Sequence, residues 1–355
     1  VNHWLNIAIS YLDNCLYRLN EIPLLTLTLG KPTVVGLILI LFVIGGGLLL
    51  WEKIKHRLNG LLFITLTICL YFAQMVYMDL NPKGSITFID VGQGDSILIV
   101  LPHHHGVYLI DTGGSLPYKK ANWQVKKREF NVGRDVILPQ LKALGVHKIN
   151  GLIITHRDFD HMEGMEGLIG KIPIEKLILS TAFVPTEVET SWLNKLRSTK
   201  TELVRVKKGD HWQDGQCLFE VLWPEEKGKD TNAQSLVLRI HFGSFTGLFT
   251  GDLEKEQEVQ LVNDQTPLEA DLLKVGHHGS KTSTSDAFLE AVQPDLAIIS
   301  VGKNNRYGHP HEEVIERLED SHIKIFRTDQ DGAVRVTFNQ KKVLSIKKVR
   351  QSEKE

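Results

Sequence analysis

Hydrophobic and polar positions follow one another along this chain in three rhythms, and each predicts a different kind of element. In residues 1–32, Trp4, Leu5, Ile7, Ala8, Ile9, Leu12, Leu16 and Leu19 recur at helical spacing with Asn6, Asp13, Asn14 and Arg18 between them. That is the pattern of an amphipathic helix, at a membrane interface or against a packing neighbour. Pro23 and Gly30-Lys31-Pro32 punctuate the chain before the rhythm changes. From Thr33 to Trp51 there is no charged residue, and a second apolar run covers Leu61 to Met78. Both runs are apolar all round and close to the roughly 20 residues that cross a bilayer, so two transmembrane helices are expected over 33–78. The link between them, Glu52-Lys53-Ile54-Lys55-His56-Arg57, is rich in basic residues. The positive-inside bias keeps such a link on the cytoplasmic face, which puts everything after Asp79 outside.

Past Gly84 the rhythm is that of an α/β domain, expected over 84–340 with a charged tail at 341–355. Ile86–Ile89, Ser96–Val100 and Val107–Ile110 read as an antiparallel start. Leu177–Leu179, Glu202–Val206, Leu218–Leu222, Ser235–Ile240 and Ser244–Phe249 read as further strands, mostly paired with their neighbours. Ala270–Val275 and Leu296–Val301 follow, then helices at Ser285–Val292 and Glu312–Glu319, and a final strand pair at Ile323–Phe326 and Val334–Phe338. Arg134–Leu144 reads as a helix. Strand after strand ends in polar residues, as at Asp90-Val91-Gly92-Gln93-Gly94-Asp95, Asp111-Thr112-Gly113-Gly114 and Thr250-Gly251-Asp252.

Composition narrows the picture only slightly. The 355 residues carry a formal net charge of −1, so no global basic character marks a nucleic-acid binder. Cys15, Cys69 and Cys217 are far apart with no paired spacing, so neither a disulfide framework nor a cysteine zinc site is indicated. A first residue that is Val rather than Met suggests a piece of a longer protein. One local stretch departs from neutrality: Lys119, Lys120, Lys126, Lys127, Arg128 and Arg134 are interleaved with Tyr118, Trp123 and Phe130. Cations beside stacking rings suit single-stranded nucleic acid, and Lys126, Lys127 and Arg128 are the expected contacts, an ordinary exposed loop being the plainer alternative.

The chemistry is densest at Thr155-His156-Arg157-Asp158-Phe159-Asp160-His161, directly after the apolar run Gly151–Ile154. Two imidazoles and two carboxylates in six residues are costly to bury unpartnered, and a divalent cation satisfies all four; a solvated acidic turn is the alternative. Strand ends on one side of a layered α/β fold converge, so His156, Asp158, Asp160, His161, Asp252 and His277 are expected to meet. His103-His104-His105 reads as a solvated hairpin turn.

Phe88–Ser96, Thr250-Gly251-Asp252, Lys274-Val275-Gly276-His277-His278-Gly279-Ser280 and Arg306-Tyr307-Gly308-His309-Pro310-His311 resemble the metallo-β-lactamase superfamily, and within it the ComEC-type competence proteins. The resemblance covers about residues 85 to 340 and implies an αββα sandwich behind the two membrane helices. It implies that His156 and Asp158 serve a first metal, that Asp160 and His161 serve a second, that Asp252 bridges, and that His277 completes the second site. One or two divalent ions are implied. Asp158 and Asn232 stand where hydrolases of the superfamily carry histidines, which shifts the expectation from Zn²⁺ towards Mn²⁺. The implied chemistry is phosphodiester cleavage with Asp160 as base and with His278, Ser280 and His309, or His311, contacting the phosphate or leaving oxygen. The implied setting is a multi-pass cell membrane with an extracytoplasmic domain. Its partners would be DNA, an upstream channel region of the same full-length protein, and other uptake machinery. A catalytically idle module that binds and guides DNA is the alternative, and hydrolysis of a small ester, lactam or thioester a third.

Overall fold

The structure, a computed structural model, describes residues 34–51, 80–114, 129–225, 230–303 and 305–349, with residue 11 and scattered positions between 60 and 73. The amphipathic helix expected in 1–32 and the basic residues Lys126, Lys127 and Arg128 lie outside the described residues.

Helix α1, Val34–Trp51, is 18 residues long and has no acidic residue in its first turn or basic residue in its last. Among the described residues no helix is long and apolar enough to cross a membrane. At a rise of ~1.5 Å per residue α1 extends about 27 Å, against a hydrocarbon core of roughly 30 Å. The two transmembrane helices expected over 33–78 are therefore not seen as such, and Leu61–Met78 is only partly described. What is described packs helix-fashion: a Cβ on Gly46 would come within 3.1 Å of the Phe63 ring, so the absent side chain lets the two segments approach closely.

The rest is two packed sheets. The first holds β1 Gly84–Phe88, β2 Ile97–Val100, β3 Val107–Ile110, β4 Ile149–Ile154, β5 Ile174–Ser180, β6 Glu202–Val206, β14 Ala333–Phe338 and β15 Val343–Val349. Its eight strands run in the order β15-β14-β1-β2-β3-β4-β5-β6. The second holds β7 His211–Asp214, β8 Cys217–Trp223, β9 Val237–Phe242, β10 Phe245–Phe249, β11 Leu272–Lys274, β12 Leu296–Ile299 and β13 Lys324–Arg327. Its seven strands run in the order β13-β12-β11-β10-β9-β8-β7.

Strand alternation explains the layering. In β8, Cys217, Phe219 and Val221 point inward while Leu218 and Glu220 are partly exposed. Phe88, Phe219, Phe249 and Phe338 fill the space between the sheets. Leu141, Leu152, Ile154 and Trp192 form a separate cluster under the outer helices of the first sheet, and Leu273, Phe288, Val314 and Leu318 one under those of the second. Those helices are α2 Leu138–Ala143, α3 Phe159–Met162, α4 Glu187–Ser198, α5 Lys255–Asn263, α6 Asp286–Val292 and α7 Glu312–Asp320. The result is the expected αββα sandwich.

Strand β7 and helix α5 were not expected from the sequence, and three further features differ from that expectation. β13 and β14 do not pair: β13 runs parallel to β12 in the second sheet, whereas β14 is antiparallel to β1 in the first. The helical turn Thr328–Asp331 carries the chain between sheets, pinned by Thr328 Oγ1 to the amide and carbonyl of Val301 at 2.8 and 2.9 Å. Residues 343–349, expected in a charged tail, form the edge strand β15, whose lysines suit an unpaired border. And α4 was not expected, although its capping box, Thr186 with Glu189, is a sequence-level signal.

Candidate metal centre

The centre lies where β3, β4, β10 and β11 end. Asp111, just after β3, accepts the Thr155 amide at 2.8 Å and the Thr155 hydroxyl at 2.7 Å, which fixes the chain as it leaves β4. The same carboxylate lies 2.8 Å from His161 Nδ1, and Thr155 Oγ1 lies 3.0 Å from His156 Nδ1. His278 Nδ1 lies 2.9 Å from the Ser300 carbonyl oxygen. In each ring an oxygen partner engages Nδ1, which aims Nε2 at the interior, the arrangement that orients imidazole ligands to a metal.

The three Nε2 atoms converge on Asp252. Its Oδ2 lies 3.3 Å from His161, 3.3 Å from His278 and 3.9 Å from His156. Asp160 Oδ2 lies 3.4 Å from His278 Nε2. The Nε2 atoms of His156, His161 and His278 and Oδ1 of Asp252 are buried without a hydrogen-bond partner. Two triads, His156–His161–Asp252 and Asp160–His161–His278, each offer ligand atoms within 4.8 Å of one another. Orphaned imidazole nitrogens beside a carboxylate oxygen fit a divalent cation, which would supply the missing partner of all three Nε2 atoms at once.

The electrostatics point the same way. Burial opposes charge on His161 and His278, yet the surrounding carboxylates together outweigh it, Asp252 with Asp111 at His161 and Asp252 with Asp160 at His278: His161 is held well above its ordinary range and His278 is pushed up to about 10. Burial, reinforced by His161, pushes His156 well down. Asp252 and Asp160 are held below the carboxylate range against their burial, Asp252 by His278 and His161, Asp160 by its contact with His278. The carboxylates thus demand positive charge, and a divalent cation on the Nε2 atoms delivers what two imidazolium protons otherwise supply.

Not every expected residue reaches the centre. Asp158 stands at the N-cap position of α3 without a side-chain capping bond, lies 3.8 Å from His156 Nε2 with its side chain 39% exposed, and belongs to neither triad. His277 and His278 exchange their expected places: His278 enters the cluster, while His277 stays at the rim, 3.9 Å from Asp252 Oδ2 and 3.3 Å from Glu254 Oε1. The cause is backbone geometry, since both residues adopt left-handed φ, 47° and 55°, and the turn after β11 swings the second ring inward. Ser280 Oγ is spent on Thr282 Oγ1 at 3.0 Å. His309 is half-buried beside His277, at 5.6 Å between ring centres, and its pKa is pushed down to about 4 by burial and by His277. Asn232 leaves Oδ1 buried and unpartnered.

Asp111 was not among the expected site residues, and a buried pair behind the centre was missed as well. Asp95 and Lys274 are 1% and 0% exposed and form a 2.5 Å ion pair directly behind Asp252. A lysine inside the apolar run Ala270–Val275 is the signal that could have found it.

The profile of the metallo-beta-lactamase superfamily matches residues 89–303. The chain is 37% identical over 338 residues to ComE operon protein 3 of Bacillus subtilis (strain 168), covering 94% of this chain and 43% of that protein. It is 34% identical over 254 residues to competence protein ComA of Neisseria gonorrhoeae, covering 71% of this chain and 32% of that one. Among solved structures, the metallo-beta-lactamase fold protein YhfI of Bacillus subtilis aligns with a TM-score of 0.45 at 12% identity, covering 72% of this chain and 100% of that one. The chain spans less than half the length of the curated relatives it matches. The family profile and the relatives show that this chain belongs to the metallo-beta-lactamase superfamily, in the branch of the ComEC-type competence proteins.

Proposed function

We propose that this chain is a metal-dependent phosphodiesterase or nuclease that acts on DNA during uptake in competence. The observation that carries the reading is the convergence of three buried, unpartnered Nε2 atoms on Asp252, with Asp160 at the mouth. A divalent cation held there supplies Lewis acidity towards a phosphoryl oxygen and makes water acidic enough to act as a nucleophile near neutral pH. Three imidazoles and two carboxylates suit Zn²⁺ as well as Mn²⁺.

The chain's own residues divide the remaining work. His156, His161, His278 and Asp252 hold the cation. Asp160, ionised and partly open to solvent, accepts a hydrogen bond from the attacking water and is the candidate proton acceptor. His309, kept neutral with Nδ1 unpartnered, offers a hydrogen bond to the phosphate or leaving oxygen. Ser280 shapes the turn that presents His278. Lys126, Lys127 and Arg128 would contact the strand. The apolar segments of 33–78 would anchor the domain outside the cytoplasm, beside an upstream channel region of the full-length protein.

The test is cleavage of single- and double-stranded DNA by the purified chain with Mn²⁺ and with Zn²⁺. Asp160→Ala should lower the rate on the order of 100-fold or more. Full activity in that variant would overturn the assignment of Asp160. Binding of DNA with no cleavage under either metal would favour an idle guiding module instead.

A further inference from the structure

Lys274 is a fully buried charged side chain beside the centre, at 0% exposure, and no step proposed above uses it. Its ammonium sits in an oxygen nest: Asp95 Oδ2 at 2.5 Å, the Gly251 carbonyl at 2.9 Å and Asp252 Oδ1 at 3.7 Å. The nest is assembled from both sheets, since Asp95 ends the β1–β2 turn while Gly251 and Asp252 follow β10. Asp95, Asp252 and His278 also offer ligand atoms within 4.8 Å of one another, the spacing of a metal site. Carboxylate and carbonyl oxygens are the ligands that hard divalent cations take. Two carboxylates this deep would be strongly destabilising without a positive charge between them.

We propose that the Lys274 ammonium fills a latent divalent-cation site formed by Asp95, Asp252 and the Gly251 carbonyl, as a cation tethered to the chain. Asp252 then faces two cation positions. Its Oδ1 looks towards the lysine, which is permanently in place, and its Oδ2 looks towards His156, His161 and His278, where an exchangeable ion is held. The tether fixes the charge behind the centre whatever the metal supply, and it limits the exchangeable ions to the histidine side.

The experiment counts Mn²⁺ per chain by elemental mass spectrometry after equilibrium dialysis, for the unsubstituted chain, Lys274→Ala, and Lys274→Ala combined with Asp95→Asn. Removing the ammonium should add one Mn²⁺ per chain, and removing the Asp95 charge as well should cancel that gain. An unchanged or lower count in Lys274→Ala, or a gain that persists in the double variant, overturns the proposal. If Lys274→Ala is unfolded in chelator, saturating Mn²⁺ should restore its circular dichroism, and failure to restore it also overturns the proposal. The proposal assumes the cation-binding reading of the histidine side, but the two fail separately. An unsubstituted chain without Mn²⁺ defeats that reading, whereas the difference between variants decides this one, and neither depends on DNA cleavage.

Discussion

Asp111 is wholly buried and divides its oxygens between the Thr155 amide and hydroxyl and the His161 ring, so one carboxylate holds the turn after β4 and orients an imidazole. Although it lies behind the ligands, Asp111→Asn should weaken Mn²⁺ binding roughly 10–100-fold, as loss of a partner behind a metal-binding histidine does elsewhere. Titration calorimetry would read the change, and unaltered affinity would contradict the assignment. The adjacent histidines offer a sharper contrast. His278→Ala should cost more than ~100-fold in affinity while His277→Ala changes it only a few-fold, because only His278 sends an unpartnered Nε2 into the cluster. His156, Asp160, His161 and Asp252 were legible in the sequence because their type and spacing at strand ends carry the information. Which of His277 and His278 enters was not, since that depends on two left-handed φ angles that residue type does not dictate.

Elements hold the centre by approaching it without side chains. Gly94, at φ +116°, lies so close to α3 that a Cβ would run into the Asp160 carbonyl oxygen, whereas Gly92, at φ +81°, has nothing near its missing Cβ. Gly92→Ala should therefore cost only the backbone term of about 1 kcal/mol, and Gly94→Ala about 3 kcal/mol or more, because α3 must also move. Urea unfolding of the two variants separates them, and equal costs would mean that α3 yields freely. Reading strands from alternation placed most of the sheet, since inward and outward residues differ in polarity. It paired β13 with β14 wrongly because a short turn joins them in sequence, while the side chains that separate them, Phe326 at one edge and Val334 beside β1, are equally apolar.

The whole molecule builds its centre across the sheet interface: β3 and β4 lead to Asp111, His156, Asp160 and His161, while β10 and β11 lead to Asp252 and His278. Charge balance in that shared space ties stability to pH. His161 and His278 have folded-state pKa values raised above the ordinary imidazole range, His278 to about 10. Their contribution in chelator is fully present below pH ~6.5 and is lost as pH rises towards 10. His156, shifted the other way, contributes above its ordinary range and is lost below it, so it does not oppose this trend above pH ~6.5. A bound divalent cation replaces the two protons, and its stabilisation should grow over the same interval. Urea midpoints at pH 7 and pH 9, with chelator and with Mn²⁺, should therefore diverge as pH rises, and parallel profiles would show that the protons and the metal do not share the site.

The sequence by itself determined the apolar runs, the layered α/β character and the four strand-end residues His156, Asp160, His161 and Asp252, because periodicity and residue type are local properties of the chain. Only the tertiary structure decided that His278 rather than His277 turns inward, that Asp158 stays at the rim, and that Lys274 neutralises Asp95 behind Asp252. Those outcomes depend on backbone angles and on contacts between residues as far apart as 95 and 274, which meet only when the two sheets pack face to face.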